Sequence, residues 1–138
     1  MLPVPVFSTL CNLAFRLRRD VFVVEQSVPE SEEFDADDLM AFHIVAIGKG
    51  EVCATLRVIH AEDHVKIGRV VVERSWRGKG VATAMMKFAM ELHRDIRGNR
   101  FFLSAQTDKL ALYRRHGFKE YGAEFLDGGI PHLAMKNY

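Results

Sequence analysis

A glycine-rich segment near the middle of the chain separates an apolar run from an amphipathic stretch, and it restricts the fold more than any other feature. The run Val65–Val72 ends in three β-branched residues and predicts a strand that is covered on both faces. From Val81 onward the apolar residues follow helical spacing. A strand that leads through Arg77-Gly78-Lys79-Gly80-Val81-Ala82 into a helix predicts an α/β protein.

The same segment suits a phosphate group. A glycine-rich turn at a helix N-terminus presents unpaired backbone N–H groups and the positive end of the helix dipole. Gly78 and Gly80 lack Cβ atoms, so an anion can approach the backbone closely, and Arg77 and Lys79 add mobile positive charge. We predict a pyrophosphate-binding loop; a tight strand-to-helix connection without a ligand is the alternative. The P-loop and dinucleotide motifs are both absent, since the latter requires a glycine where Thr83 stands.

The other elements follow from periodicity and turn residues. Ser8 is a predicted N-cap for a helix that ends near Glu25. The acidic segment Ser27–Asp38 is interpreted as a solvated loop with a short helical turn, and attraction of a cationic amine is the alternative. The remaining predicted elements are strands at Ala41–Ile47, Val52–Ile59 and Val65–Val72, a helix to about Ile96, a strand at Phe101–Ala105, a helix at Asp108–His116, and strands at Phe118–Phe125 and Pro131–Lys136. This order predicts an α/β sandwich around a mixed sheet, and 138 residues suit a single domain, 1–138.

Charge and cysteine usage exclude several classes of protein. Lys and Arg total 19 against 18 Asp and Glu, so no general attraction to nucleic acid or to a membrane is expected. Cys11 and Cys53 are far apart and are predicted to be free thiols in the cytoplasm. No export signal is predicted, and the six histidines form no metal-ligand pattern.

Two motifs carry a resemblance to a known family. Arg77, Gly80 and Ala82 satisfy the pattern Q/R-x-x-G-x-G/A, and Leu112–Phe118 is similar to the segment L-Y-x-x-x-G-F that follows it. From about Leu10 to Met135 the sequence resembles the GNAT (Gcn5-related N-acetyltransferase) superfamily. The resemblance implies a mixed, mostly antiparallel central sheet of six to seven strands flanked by about four helices.

A smaller branch of the superfamily is the nearer resemblance. The matching segments are Val21–Gln26, Glu33–Asp35 and Gly129–Met135, which are similar to ElaA-like and glyphosate-acetyltransferase-like bacterial proteins. The implied activity is transfer of an acetyl group from acetyl-CoA to a primary amine of a small molecule or peptide. A non-catalytic CoA-binding sensor or interaction module on the same fold is the alternative, and the resemblance leaves a homodimer through the C-terminal strands open.

The resemblance also assigns the cofactor-binding residues. Backbone amides of the glycine loop are expected to hold the pyrophosphate, and the end of the preceding strand is expected to pair with the pantetheine arm. Gln106 stands where many members have an asparagine that contacts this arm. The implied set is Val70, Val71, Val72, Arg77, Gly78, Lys79, Gly80, Val81, Ala82 and Gln106.

Catalytic and substrate-binding roles are assigned in the same way. Tyr113 occupies the general-acid position, and His132 matches a general base of the glyphosate-acetyltransferase-like branch. Glu73 and Glu25 are the alternative bases. The acceptor-binding residues implied by the resemblance are Arg69, Glu25 and His43, and for His43 a structural core position is equally open.

Overall fold

The computed structural model describes residues 1–138. A single sheet holds seven strands in the order β1-β2-β3-β4-β5-β7-β6, and four α-helices accompany it. The strands are β1 Leu2–Val4, β2 Phe42–Gly48, β3 Glu51–His60, β4 Val65–Val72, β5 Phe101–Gln106, β6 Lys119–Asp127 and β7 Ile130–Lys136. The helices are α1 Thr9–Arg18, α2 Glu30–Glu33, α3 Val81–His93 and α4 Leu110–Arg114, with short 3-10 turns at Ala36–Leu39, Arg74–Trp76 and Thr107–Lys109. The predicted mixed sheet of six to seven strands with about four helices is confirmed.

The first helix changes its winding before it ends. The Ser8 hydroxyl accepts a hydrogen bond from the Cys11 amide at 3.2 Å, which confirms the predicted N-cap. After Arg18 the chain continues as a π-helical segment, Arg19–Glu25, instead of the regular α-helix that the apolar spacing predicts. The segment ends where the Gln26 amide donates to the Val21 carbonyl at 2.8 Å.

The two faces of the sheet are covered by different helices. Adjacent residues on a strand point to opposite faces, and on β2 Ile44 packs in the cluster with α3 while Val45 packs in the cluster with α1. Met85 and Met86 are both fully buried in the α3 cluster. No helix of the structure is long and apolar enough to span a membrane.

Strands β4 and β5 are parallel neighbours that separate soon after they meet. Only Val65 with Phe101 and Lys66 with Phe102 are paired, whereas every other neighbouring pair in the sheet is antiparallel. Further along, β4 has one extra residue relative to β3, and Arg69 there adopts a left-handed conformation with φ of 53°. The sheet is therefore open between the C-terminal halves of β4 and β5.

Candidate active site

A cavity of about 620 Å³ occupies the opening between β4 and β5. Its walls come from both strands, from the glycine loop and the start of α3, from α4, and from the end of the first helix. The β6–β7 turn closes one side, and the lining combines charged, polar and apolar side chains. A volume of this size is in the usual range for a small-molecule or cofactor site.

The glycine loop presents its backbone to this cavity. Gly78 and Gly80 adopt left-handed conformations with φ of 74° and 79°, and a Cβ atom built on either would meet no other atom within 4 Å. The amide of Ala84 makes the first helical bond, to the Gly80 carbonyl at 3.1 Å, so the three amides before it precede the helical ladder. These amides belong to residues that line the cavity: Val81, Ala82 and Thr83. The loop thus has the open backbone that an anion requires.

The open edge of β4 also offers backbone groups. Val71 is paired with Thr55 on β3, and the Glu73 amide donates to the Cys53 carbonyl at 2.8 Å. Because alternate residues of a strand direct their N–H and C=O groups to opposite sides, those of Val70 and Val72 face the opening. A ligand arm lying along β4 can therefore form hydrogen bonds with it as an added strand does.

The side chain of Arg77 is held in place, which contradicts the prediction that it adds mobile charge to the loop. Its two Nη atoms donate to the two carboxylate oxygens of Glu25 at 2.9 and 3.0 Å, and its Nε donates to the Val72 carbonyl at 3.0 Å. The hydrogen bonds from Arg77 are the largest influence on Glu25 and lower the pKa of its carboxyl. The Lys79 ammonium lies 5.4 Å from the ring centre of Trp76.

Tyr113 lies on α4 with its side chain at the cavity. The residue is 8% exposed and packs edge-on against Phe118, and its hydroxyl makes no hydrogen bond to another residue. Burial raises the pKa of its phenol to about 12, so the hydroxyl is protonated throughout the neutral range. A neutral phenol without a competing partner is available as a hydrogen-bond or proton donor to a ligand.

His132 reaches the same cavity from β7. It is paired with Gln106 on β5, is 9% exposed and stacks against Phe125. Its Nδ1 lies 2.7 Å from the Ile130 carbonyl oxygen, which can only accept, so Nδ1 carries a proton and donates it. In the neutral ring Nε2 therefore keeps its lone pair, which is the form that a general base needs.

Of the other predicted site residues, Gln106 lies at the cavity, whereas Glu73 and His43 do not. Gln106 lines the cavity, and its Nε2 donates to the Gln26 side-chain oxygen at 2.9 Å. The Glu73 carboxylate accepts hydrogen bonds from the amide and hydroxyl of Ser75 and caps the 3-10 turn; it is not among the cavity-lining residues. His43 is 2% exposed, and its Nε2 lies 2.8 Å from the Asp38 carbonyl, so the structure places it in the core and not at the predicted acceptor site.

Part of the acidic segment after the first helix is buried, which contradicts the prediction of a solvated loop. Glu33 and Asp38 are 3% and 6% exposed. Arg18, itself 1% exposed, donates to the two carboxylates at 2.9 and 2.7 Å and so compensates for their loss of water. Burial is the largest influence on Glu33 and raises its pKa, whereas hydrogen bonds and charges from Arg18 and Arg57 together lower the pKa of Asp38 despite burial.

Arg57 and Arg69 extend this ion network to the wall of the cavity. Arg57 donates to Asp35 at 2.6 Å and to Asp38 at 2.9 Å. Arg69, the predicted acceptor-binding arginine, donates to two backbone carbonyls of α2 at 3.2 Å and contacts the carboxylates of Glu33 and Asp35 at 3.3 Å. Arg69 lines the cavity, but its guanidinium is already bound by anionic and carbonyl oxygens. A strong interaction with an anionic acceptor is therefore not expected from this residue.

Comparison with known proteins identifies several relatives. The family model described as "Acetyltransferase (GNAT) domain" matches residues 14–138. An uncharacterized N-acetyltransferase of Bacillus subtilis (strain 168), YjcF, is 37% identical over 123 residues, which cover 88% of this chain and 88% of that protein. Among solved structures, an acyl-CoA N-acyltransferase from Pseudomonas aeruginosa has a TM-score of 0.84 and 34% identity, covering 93% of this chain and 89% of that one. Escherichia coli ElaA has a TM-score of 0.89 and 28% identity, covering 99% and 98%.

Proposed function

The chain belongs to the GNAT acetyltransferase family, and from that premise we propose that it transfers an acetyl group from acetyl-CoA to a primary amine of a small molecule or peptide. The observation that carries the proposal is that the glycine-loop residues, Tyr113 and His132 all line the same cavity, between β4 and β5. A donor to the leaving sulfur and an acceptor for the amine proton are the two groups that this reaction requires.

The residues at the opening fit acetyl-CoA in three respects. Gly78 and Gly80 leave open space where Cβ atoms would otherwise project, beside the free amides at the start of α3. These amides would hold the pyrophosphate, and the backbone groups of Val70 and the amide of Val72 would pair with the pantetheine arm. The Val72 carbonyl already accepts a hydrogen bond from Arg77. Gln106 uses one N–H for Gln26, so its other N–H and its carbonyl are free for the same arm. Bound acetyl-CoA would supply the reactive thioester.

The protein groups then complete a balanced reaction. The amine nitrogen forms a bond to the thioester carbon, and the carbon–sulfur bond breaks. His132 accepts the amine proton at Nε2 while its Nδ1–H stays on the Ile130 carbonyl, which fixes the ring orientation. Tyr113 donates a hydrogen bond to the departing thiolate, which takes its proton from solvent, and protonated His132 returns the amine proton to solvent. An amide at β4 that faces the opening can stabilise negative charge on the carbonyl oxygen.

His132 is preferred over the two carboxylates as the base. Glu25 is bound by both Nη atoms of Arg77, and the hydrogen bonds that hold it lower its pKa, which weakens it as a proton acceptor. Glu73 accepts hydrogen bonds from Ser75 and lies outside the cavity lining.

We further propose that the protein acts in the cytoplasm, where its two free, buried cysteines, Cys11 and Cys53, would stay reduced.

The first experiment is a thermal-shift comparison of acetyl-CoA with ATP and NADH at equal concentration. Acetyl-CoA at about 100 times its Kd should add about 2.7 kcal/mol to the free energy of unfolding and raise Tm by several degrees. A thiol-release assay over a panel of primary amines then tests for transfer. Binding without transfer to any amine would support the non-catalytic module, and an equal response to all three nucleotides would refute the cofactor assignment.

Replacement of the proposed base gives a second test. His132→Gln should lower kcat/KM about 30-fold, which is less than the 10²–10⁴ typical of general acid–base catalysis because solvent can partly replace the base. The control is His64→Gln, since His64 bonds to Asp63 and lies outside the cavity. Equal losses in both variants would contradict this role.

A further inference from the structure

The end of the first helix makes contact with both strands that border the opening. Glu25 binds Arg77, and the same guanidinium donates to the Val72 carbonyl at the open edge of β4. The next residue, Gln26, accepts a hydrogen bond from Gln106 at the end of β5. Two consecutive side chains therefore connect β4 to β5 at the place where the strands no longer pair with each other.

We propose that Glu25 and Gln26 form a clasp that sets the spacing between β4 and β5, and that this spacing determines how well the cleft accepts the arm of acetyl-CoA. The inference rests on the proposed function for its ligand. Glu25 and Gln26 act as positioning residues, because neither needs to touch the reacting atoms. The links of the clasp follow one another, so that each depends on the one before it. From β4 to β5 they run through Arg77, Glu25, the helix backbone, Gln26 and Gln106.

The backbone that links the two side chains is itself held firmly. The Gln26 amide closes the π-helical segment on the Val21 carbonyl at 2.8 Å, and the Val28 amide donates to the Phe22 carbonyl at 2.8 Å. Val21, Phe22 and Val28 are buried in one cluster with Val71 of β4. A rigid connection of this kind can transmit a fixed distance, whereas a flexible loop cannot.

The series arrangement predicts how two losses combine. Releasing either link allows the same motion of the strands. The fraction of molecules with the correct spacing therefore falls when the first link is lost, and losing the second link lowers it little further. Because apparent Kd is the intrinsic Kd divided by that fraction, a drop of the fraction to a fifth raises Kd about fivefold. Side chains that contacted the cofactor independently would instead multiply their effects, to about 25-fold in the double variant.

The test measures the Kd of acetyl-CoA by calorimetry for Glu25→Gln, Gln26→Met and the double variant. We expect about a fivefold increase in each single variant and no more than about tenfold in the double variant. The matched control is Glu30→Gln, because Glu30 pairs with Arg19 at 3.4 Å on the surface, forms no hydrogen bond or ion pair with either strand and lies outside the cavity. Unchanged Kd in the single variants, or multiplied effects in the double variant, would overturn the clasp.

Amide hydrogen exchange of the free protein supplies an independent readout. Each single variant should exchange faster than wild type in the peptides that cover residues 70–74 and 104–107, and Glu30→Gln should not. If wild-type protein fails to bind acetyl-CoA, the proposed function is wrong, and the exchange rates still decide the clasp. Equal exchange in wild type and single variants would refute it whatever the cofactor result.

Discussion

Tyr113→Phe is expected to lower kcat about 100-fold and to leave the KM for acetyl-CoA nearly unchanged. General-acid catalysis contributes about 10²–10⁴ in rate, and the lower end applies here for a physical reason. Burial raises the pKa of this phenol to about 12, whereas a thiol has a pKa of about 8.5. Complete proton transfer to a free thiolate is therefore uphill, and the phenol acts chiefly as a hydrogen-bond donor while the carbon–sulfur bond breaks.

Steady-state kinetics with calorimetric binding of acetyl-CoA would separate this role from a structural one. Removal of the hydroxyl leaves the ring packed against Phe118 and should not weaken the fold, since the hydroxyl makes no hydrogen bond to another residue. Tyr121→Phe is the matched control, because Tyr121 is 41% exposed on the edge strand β6. A kcat within threefold of wild type in Tyr113→Phe, or an equal loss in the control, would remove Tyr113 from the catalytic machinery.

The elements that frame this site could be predicted from sequence because their signals are local. The bounds of β4 at Val65–Val72 match the predicted run, since its β-branched residues, three of them consecutive at its end, favour a strand. The left-handed residues Gly78 and Gly80 likewise follow from the missing Cβ atoms. Both features depend on residues that are adjacent in the chain.

The partners of charged and amide side chains could not be predicted, because they depend on long-range placement. Arg77 and Glu25 are 52 residues apart, and Gln106 and Gln26 are 80 apart. Nothing local distinguishes Arg18 from Arg19, although the first is 1% exposed and the second has a side chain that is 58% exposed. Composition therefore predicted mobile charge at the loop and a solvated acidic segment, and the tertiary structure corrects both.

The buried network around Arg18 should produce the largest loss of stability. Arg18→Met removes the cation that binds Glu33 and Asp38 and lies about 5 Å from the ring centres of Phe15 and Phe34. Breaking a buried ion pair from one side typically costs 3–5 kcal/mol because charge is left without compensation. We expect a loss of about 3–5 kcal/mol in the free energy of unfolding, measured by urea denaturation at pH 7.5. Arg19→Met, with its exposed pair to Glu30, should change it by less than about 1 kcal/mol.

The pH dependence of that loss identifies its cause. Burial raises the pKa of Glu33 and Arg18 lowers it, so Arg18→Met should raise it further. A carboxyl whose pKa is higher in the folded state stabilises the fold most below pH 4.5, its pKa in the unfolded chain. That contribution to the free energy of unfolding is lost as the pH rises through the pKa of the folded state. The loss caused by Arg18→Met should therefore be smaller at pH 5.5 than at pH 7.5. Asp38 acts in the same direction, because burial raises its pKa and Arg18 opposes that effect, so Arg18→Met should raise the pKa of Asp38 as well. A loss that is equal at both pH values would show that the packing of Arg18 against the two rings, and not the buried carboxylates, accounts for its contribution.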